Sequence, residues 1–184
     1  MKARCCWGGA GFTKVSGHYW CETSACRDRQ FKHGIAFHDR KTGDLKHLFY
    51  VPLPKQVEFE IATTPMLLGG GAAGASKSHA ARYALYRRAF TIPGFEALIL
   101  RKTWSELEKH HLRLMERETL RLRSWGLQVE FSKTDREMRF HHGGEVSVIE
   151  GGHMEDPKDV EKYLSRERDA IVCDEGSTFS PQPL

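Results

Sequence analysis

The sequence predicts an α/β fold, a mainly parallel sheet flanked by helices, preceded by a small cysteine-rich unit. From residue 66 onward, short apolar runs alternate with helical stretches, which is typical of a parallel-sheet domain. Four of the five cysteines lie within the first 26 residues, where glycines are also frequent. We therefore place the small unit at residues 1–46 and the α/β domain at residues 47–184.

Length and composition restrict the protein class. A chain of 184 residues suffices for one α/β domain with a small appendage. Its 40% hydrophobic and 28% charged residues are ordinary for a soluble protein, and no apolar run approaches the roughly 20 residues of a membrane-spanning helix. The N-terminus has no signal-peptide pattern, so we expect a cytosolic location and no membrane. The net charge of +4 suits a polyanionic partner but also an ordinary basic surface.

The elements follow in chain order. The two prolines in residues 52–56 predict a linker that leads into the α/β domain. Residues 66–68 are expected to form a short buried strand, residues 78–90 a helix and residues 97–100 a second buried strand. Strand, helix and strand would form one right-handed crossover unit.

The second half of the domain is predicted from the same patterns. Residues 104–125 have the periodicity of a long helix that packs with one face and is solvated on the other, without a site. The remaining elements are strands at 127–131, 138–141, 146–149 and 170–173, a hairpin turn at 142–144 and a helix at 157–164.

A glycine-rich loop between the first strand and the first helix has the composition of a phosphate-binding loop. A triphosphate requires inward-pointing backbone N–H groups, a cation, a hydroxyl for Mg²⁺ and a helix N-terminus. Lys77 would be the phosphate cation and Ser78 the Mg²⁺ ligand. The predicted loop consists of Gly71, Ala72, Ala73, Gly74, Ala75, Ser76, Lys77 and Ser78.

One position departs from the usual pattern G-x-x-x-x-G-K-[ST]. Ser76 stands where that pattern has a glycine. An ordinary strand-to-helix loop with a lysine is the alternative interpretation. The placement of the loop, after an apolar strand and at the start of a helix, favours the phosphate site.

Two adjacent acids provide the second half of the predicted site. Asp174 and Glu175 directly follow residues 170–173, which are expected to be a fully buried strand, with Cys173 a small buried hydrophobic residue. Both carboxylates would emerge at the carboxyl edge of the sheet. We assign Asp174 to Mg²⁺ and Glu175 to the orientation of the attacking water. Such a pair after an apolar run also occurs at ordinary strand ends.

With both halves in place, residues 52–184 resemble the ATPase domain of phage terminase large subunits, the motors that package DNA into capsids. Residues 67–78 look like the Walker A region of the family and residues 171–175 look like its Walker B strand. The intervening stretches that carry the likeness are 97–103, 146–153 and 159–163, with Thr178 and Phe179 downstream. The resemblance implies a P-loop NTPase fold.

The resemblance also implies function. It implies Mg²⁺-dependent ATP hydrolysis coupled to DNA translocation, with Lys77 and Glu175 as catalytic residues. Double-stranded DNA, a portal protein and a small terminase subunit would be its partners, a homo-oligomeric ring its assembly, and the cytoplasm of the infected host cell its location. Gln56 would contact adenine, or is a surface glutamine. Arg101 would lie near the phosphates, or is explained by capping or solvation.

The family continues into a coupling motif and a nuclease domain, whereas this chain stops at Leu184. We therefore expect an incomplete ATPase domain, claim no nuclease, and regard hydrolysis by this chain alone as undecided. Two other functions remain open. One is another P-loop NTPase, such as a helicase. The other is a zinc-containing DNA-binding module without ATPase activity.

The clustered cysteines predict a zinc site in the small unit. Tetrahedral zinc takes four Cys or His ligands, commonly in two closely spaced pairs. Cys21 and Cys26 form one such pair, and Cys5 with Cys6 or His18 would complete the set. Reduced cysteines without a ligand are the alternative, which we disfavour because so short and glycine-rich a segment lacks a core of its own.

Overall fold

The computed structural model describes residues 12–15, 18–21, 30, 32–39, 41–61, 64, 66–69 and 76–179. The chain divides into two compact units, Met1–Ala80 and Ala81–Leu184. The predicted boundary between residues 46 and 47 stays a prediction.

The described residues of the first unit include two antiparallel strand pairs and a helix. Strand β1 (Phe12–Val15) pairs with β2 (His18–Cys21), and β3 (Ile35–His38) pairs with β4 (Leu45–Tyr50). Helix α1 (Pro54–Ile61) follows. The buried apolar residues described in this unit lie in β3, at and just after the end of β4, in α1 and at the end of the unit, and they are Ile35, Phe49, Tyr50, Val51, Val57 and Ala80.

The predicted linker at residues 52–56 is wrong, because this segment is part of the first unit's packed structure. Pro54 is the first residue of α1, a position where proline is well tolerated because the first N–H groups of a helix have no intrahelical partner. The Gln30 side chain, which is fully buried, donates a hydrogen bond of 2.8 Å to the Pro52 carbonyl. Pro54 therefore starts a helix, and Pro52 precedes it in the packed structure.

The second unit is built on a five-stranded sheet. Its strands are β5 (Glu96–Arg101), β6 (Val129–Ser132), β7 (Glu137–His141), β8 (Val146–His153) and β9 (Ala170–Cys173). The spatial order is β6-β7-β8-β5-β9, with β5 parallel to both β8 and β9. The β6-β7-β8 meander is antiparallel, and the turn after β7 contains Gly143 with φ 78°. The predicted α/β class with parallel strands is confirmed.

Helices precede and follow β5. Helix α2 (Lys77–Thr91) comes before it. After it, α3 (Trp104–Leu107), a π-helical turn (Glu108–Leu112) and α4 (Arg113–Ser124) form a continuous helical segment. A 3₁₀ turn (Pro157–Val160) and α5 (Glu161–Leu164) precede β9. The helices predicted at 78–90, 104–125 and 157–164 are confirmed, but the sequence did not predict the π-helical turn.

A buried ion pair joins α2 to α4 in the second unit. Arg82 is 1% exposed, and its guanidinium donates to both carboxylate oxygens of Glu118, Nε to Oε2 at 3.0 Å and Nη2 to Oε1 at 2.8 Å. The hydroxyls of Tyr83 and Tyr86 donate to the same carboxylate at 3.1 and 2.6 Å. Four donors therefore surround one carboxylate.

Two strand predictions need correction. Residues 66–68 form no strand, and Met66 and Leu68 are 88% and 96% exposed. The predicted crossover unit therefore lacks its first strand. Strand β9 is present, but Ile171 is 57% exposed and Cys173 is exposed, so the prediction of full burial is wrong. The physical reason is that β9 is an edge strand of the described sheet, bonded only to β5.

Within the described part of the chain, every helix is too short or too polar to cross a membrane.

Candidate functional site

The candidate site lies at the carboxyl edge of the parallel strands in the second unit. Strand β5 ends at Arg101, and Asp174 directly follows β9. The Asp174 N–H donates to the Leu100 carbonyl at 2.9 Å, which extends the β5–β9 pairing one residue beyond the strand. Because parallel strands end at the same edge, Arg101 and Asp174 are placed side by side.

One oxygen of Asp174 accepts three hydrogen bonds. Arg101 donates to Oδ2 through Nε at 2.9 Å and through Nη2 at 2.8 Å. His111, from the π-helical turn, lies with Nε2 at 2.9 Å from the same oxygen. Arg101 is 3% exposed and His111 is fully buried. The Asp174 carboxylate is thus held by two buried side chains from different elements.

Arg101 also contacts the second acid of the pair. Its Nη2 lies 3.2 Å from Glu175 Oε1, and the Glu175 side chain is 51% exposed. The alternative that Arg101 is merely solvated is wrong, because its guanidinium is buried between two carboxylates. The sequence did not predict the contact between Arg101 and Asp174. The positive charge of Arg101 partly balances the negative charges of Asp174 and Glu175.

The backbone at Glu175 has an unusual conformation. With φ 58° and ψ 44° it lies in the left-handed region, which costs a residue other than glycine on the order of 1 kcal/mol or more. The chain turns here into a 3₁₀ turn (Gly176–Thr178), and the Thr178 N–H and hydroxyl both donate to the Glu175 carbonyl at 2.8 Å. This turn directs the chain away from β9 immediately after Asp174.

His111 is a site residue that the sequence prediction missed. Burial is the largest influence on its pKa and lowers it below the ordinary value, although the hydrogen bond to Asp174 acts in the opposite direction. The ring is therefore neutral at neutral pH. Its single proton belongs on Nε2, since a carboxylate oxygen accepts and the buried Nδ1 has no hydrogen-bond partner among the described residues. The only sequence signal was a histidine in an apolar stripe, which is weak.

Two glycines in β8 allow other elements to approach the sheet closely, Gly151 the helical segment and Gly152 the Tyr163 side chain of α5. A Cβ on Gly151 would lie 2.6 Å from Leu112 Cδ2 and 3.5 Å from Leu107 Cδ2. A Cβ on Gly152 would lie 2.6 Å from the Tyr163 hydroxyl, which itself bonds the backbone of His153. The π-helical turn that carries His111 can therefore pack directly on β8.

The predicted phosphate loop is only partly described, and its described residues belong to the first unit. Gly71, Ala72, Ala73, Gly74 and Ala75 lie outside the described residues. Ser76 has φ 54°, and its carbonyl accepts the helical hydrogen bond from the Ala80 N–H at 2.9 Å. Lys77 and Ser78 are the first two residues of α2.

The conformation of Ser76 bears on the departure from the usual motif. The left-handed region favours glycine, because a Cβ there meets the backbone. Ser76 occupies the position at which the pattern G-x-x-x-x-G-K-[ST] has a glycine, and it adopts a left-handed backbone angle, which glycine adopts without strain.

Gln56 is buried and hydrogen-bonded within the first unit. Its Oε1 accepts from the Leu53 N–H at 2.7 Å and from the Tyr50 hydroxyl at 3.1 Å. Its Nε2 donates to the Ser76 carbonyl at 3.3 Å. The interpretation of Gln56 as a surface glutamine is wrong. It connects α1 to the residue before Lys77, and its contact with adenine stays a prediction.

The metal predictions concern two sites. Cys5, Cys6 and Cys26 lie outside the described residues, and of Cys21 only the backbone in β2 is described, so the zinc site stays a prediction. Among the described residues no three His, Cys, Asp or Glu side chains form a metal-binding group. Mg²⁺ usually needs only one or two carboxylates beside phosphate and water oxygens, so the carboxylate of Asp174 has the donor chemistry that this ion takes.

Comparison with known proteins identifies a similar fold. The structure matches the large terminase ATPase domain of Thermus phage P74-26 with a TM-score of 0.57 and 18% sequence identity, over 68% of this chain and 54% of that chain. A point mutant of that domain matches with a TM-score of 0.58 and 18% identity, over 70% and 55%. The chain thus spans about half the length of these solved proteins. No family model and no curated protein matches the sequence.

Proposed function

We propose that this chain is the ATP-binding part of a viral DNA-packaging motor, and that it takes part in Mg²⁺-dependent ATP hydrolysis coupled to DNA translocation. The observation that carries the proposal is the pair Asp174 and Glu175 at the carboxyl edge of β9, in a fold similar to a terminase ATPase domain. The predicted phosphate loop agrees with it, since Lys77 and Ser78 begin a helix directly after a left-handed residue.

Each residue has a role that follows from its chemistry. Residues 71–78 would surround the phosphates with backbone N–H groups, with Lys77 as the cation. Ser78 and Asp174 would hold Mg²⁺, which when bound balances the charge of the phosphates. Glu175, whose side chain is half exposed, would orient a water for attack on the terminal phosphate. Gln56 would contact the adenine or hold the loop through Ser76.

The partners follow from the same proposal. A packaging motor acts on double-stranded DNA, and we propose a homo-oligomeric ring that works with a portal protein and a small terminase subunit in the cytoplasm of the host cell. The net charge of +4 is compatible with a polyanionic partner.

Nucleotide binding tests the proposal. The purified chain should bind a fluorescent ATP analogue more tightly in the presence of Mg²⁺, and Lys77→Ala should weaken that binding. Lys133→Ala is the matched control, because Lys133 is an exposed lysine whose partner is Glu116 at 2.8 Å. Binding that is absent, or that Lys77→Ala and Lys133→Ala affect equally, would rule the proposal out.

DNA stimulation separates the packaging motor from the other functions considered. A packaging motor should hydrolyse ATP in a reaction that double-stranded DNA accelerates. A DNA-binding module without ATPase activity would bind DNA with the same affinity with and without nucleotide.

A further inference from the structure

We propose that His111 is a positioning residue for Asp174, one that fixes the orientation of this carboxylate for a Mg²⁺-nucleotide complex. The inference rests on the proposed function for the identity of the ligand. Its structural basis is the 2.9 Å contact from His111 Nε2 to Asp174 Oδ2, made by a side chain with no exposed surface.

The donor arrangement explains why a histidine is needed in addition to an arginine. Arg101 and His111 together direct three hydrogen bonds at Oδ2, which saturates that oxygen. A cation at Oδ2 would have to displace one of these donors. Arg101 reaches Oδ2 from β5 and His111 reaches it from the π-helical turn, so the two side chains hold the carboxylate from separate elements. Without His111, one of the three hydrogen bonds that orient the carboxylate is lost.

The position of His111 is set by packing on the sheet. The π-helical turn carries His111, and π-helical turns occur frequently at functional sites. Leu107 and Leu112, on either side of His111, lie over Gly151 of β8, where a Cβ would come within 2.6 Å of Leu112. Gly151 is paired with Ile99 of β5, two residues before Arg101. The packing of Leu107 and Leu112 on Gly151 therefore helps to set the distance between the π-helical turn and the site at the end of β5.

The test measures how much Mg²⁺ is required for nucleotide binding by the full chain. A fluorescent ATP analogue is titrated with MgCl₂, and the midpoint is compared among parent, His111→Asn, His111→Gln and the control His110→Asn, in which an exposed neighbour is changed. Gln carries its N–H as many bonds from Cβ as His Nε2, whereas Asn is one carbon shorter. Binding without metal and the unfolding temperature are measured for each variant.

We expect His111→Asn to raise the Mg²⁺ midpoint about 10–100-fold, the usual effect of removing a group that orients a metal ligand. His111→Gln should restore most of the loss, and metal-free nucleotide binding should stay as in the parent. Should His111→Asn not fold, Gly151→Ala provides the second test, because it retains the histidine but crowds the Leu112 side chain of the same turn. It should also raise the midpoint.

The outcomes separate the two proposals. If the parent chain binds the analogue without any dependence on Mg²⁺, the proposed function fails and this inference fails with it. If the parent depends on Mg²⁺ but His111→Asn and Gly151→Ala leave the midpoint unchanged, only the role of His111 is refuted. A variant that lowers the unfolding temperature alone, with the parent's Mg²⁺ midpoint, shows that His111 is structural and also refutes the inference.

Discussion

Replacing Glu118 by glutamine should strongly destabilise the second unit, because this carboxylate is the ion-pair partner of a buried arginine. The Glu118 side chain is 14% exposed, and its partner Arg82 is 1% exposed. Burial opposes the charge on Arg82, yet the pKa of the guanidinium lies above its ordinary value beside the hydrogen-bonded carboxylate of Glu118, so Arg82 stays charged at any ordinary pH. Glu118→Gln would leave that cation buried without a carboxylate.

The expected loss follows from that geometry. Removing one partner of a buried ion pair costs about 3–5 kcal/mol, because the remaining charge stays desolvated. The hydroxyls of Tyr83 and Tyr86 cannot replace the lost charge, since burial, the largest influence on their pKa values, raises those values and keeps both hydroxyls protonated. For a chain of 184 residues, 2–4 °C per kcal/mol gives a fall in unfolding temperature of roughly 6–20 °C.

The assay is thermal unfolding followed by circular dichroism, with Glu116→Gln as the matched control. Glu116 is on the same helix and also forms an ion pair, with Lys133 at 2.8 Å, but the two side chains are 37% and 73% exposed. An exposed pair contributes about 0–1 kcal/mol. Arg82→Met with Glu118→Gln should lose less than the sum of the single variants, because the unpaired cation is gone. Equal unfolding temperatures for Glu118→Gln and Glu116→Gln would refute the reasoning.

Two further predictions concern single residues. Ser76→Gly should leave the unfolding temperature unchanged or raise it and Ser76→Val should lower stability by about 1–2 kcal/mol, because φ is 54° at this position; a lower unfolding temperature for Ser76→Gly would contradict this. A hydrogen bond from Lys162 and then the Asp156 N–H lower the pKa of Asp159 from 3.8 to about 2, so its stabilising contribution is complete above pH about 4 and is lost as the pH falls towards 2. Asp159→Asn should therefore reduce the acid sensitivity of the unfolding temperature between pH 5 and pH 2.5, and an unchanged sensitivity would show that Asp159 is not responsible.

Elements with a strong local pattern could be predicted from the sequence. The apolar runs of β5, β8 and β9 and the glycine turn after β7 each stand out within a few residues, and so Asp174 could be placed at a strand end. The burial of a strand, however, depends on its neighbours. The run at residues 66–68 is as apolar as a buried strand, yet those residues form no strand. The apolar pattern of a segment indicates that the segment favours a buried strand, but it does not show which strand it would pair with.

The contacts within the site could not be predicted, because they depend on long-range packing. His111 and Asp174 are 63 residues apart, and Arg101 and Asp174 are 73 apart. The register of the helical segment is changed by the π-helical turn, which no residue pattern in 108–112 indicates. The sequence shows His111 only as one member of a packing stripe. Its contact with Asp174 follows from the close approach at Gly151, a feature of the assembled sheet.

The two acids of the site differ in a way that agrees with the roles proposed for them. Asp174 is buried and held by Arg101 and His111, so its carboxylate has a fixed orientation, as a metal ligand requires. Glu175 touches the same arginine but is half exposed, and an exposed pair contributes little to holding a side chain. The exposed part of the Glu175 carboxylate can accept a hydrogen bond from a water, while the Arg101–Asp174 pair lies buried beside it. The left-handed backbone at Glu175 turns the chain two residues after β9 ends, so the two acids differ in exposure although they are adjacent in the sequence.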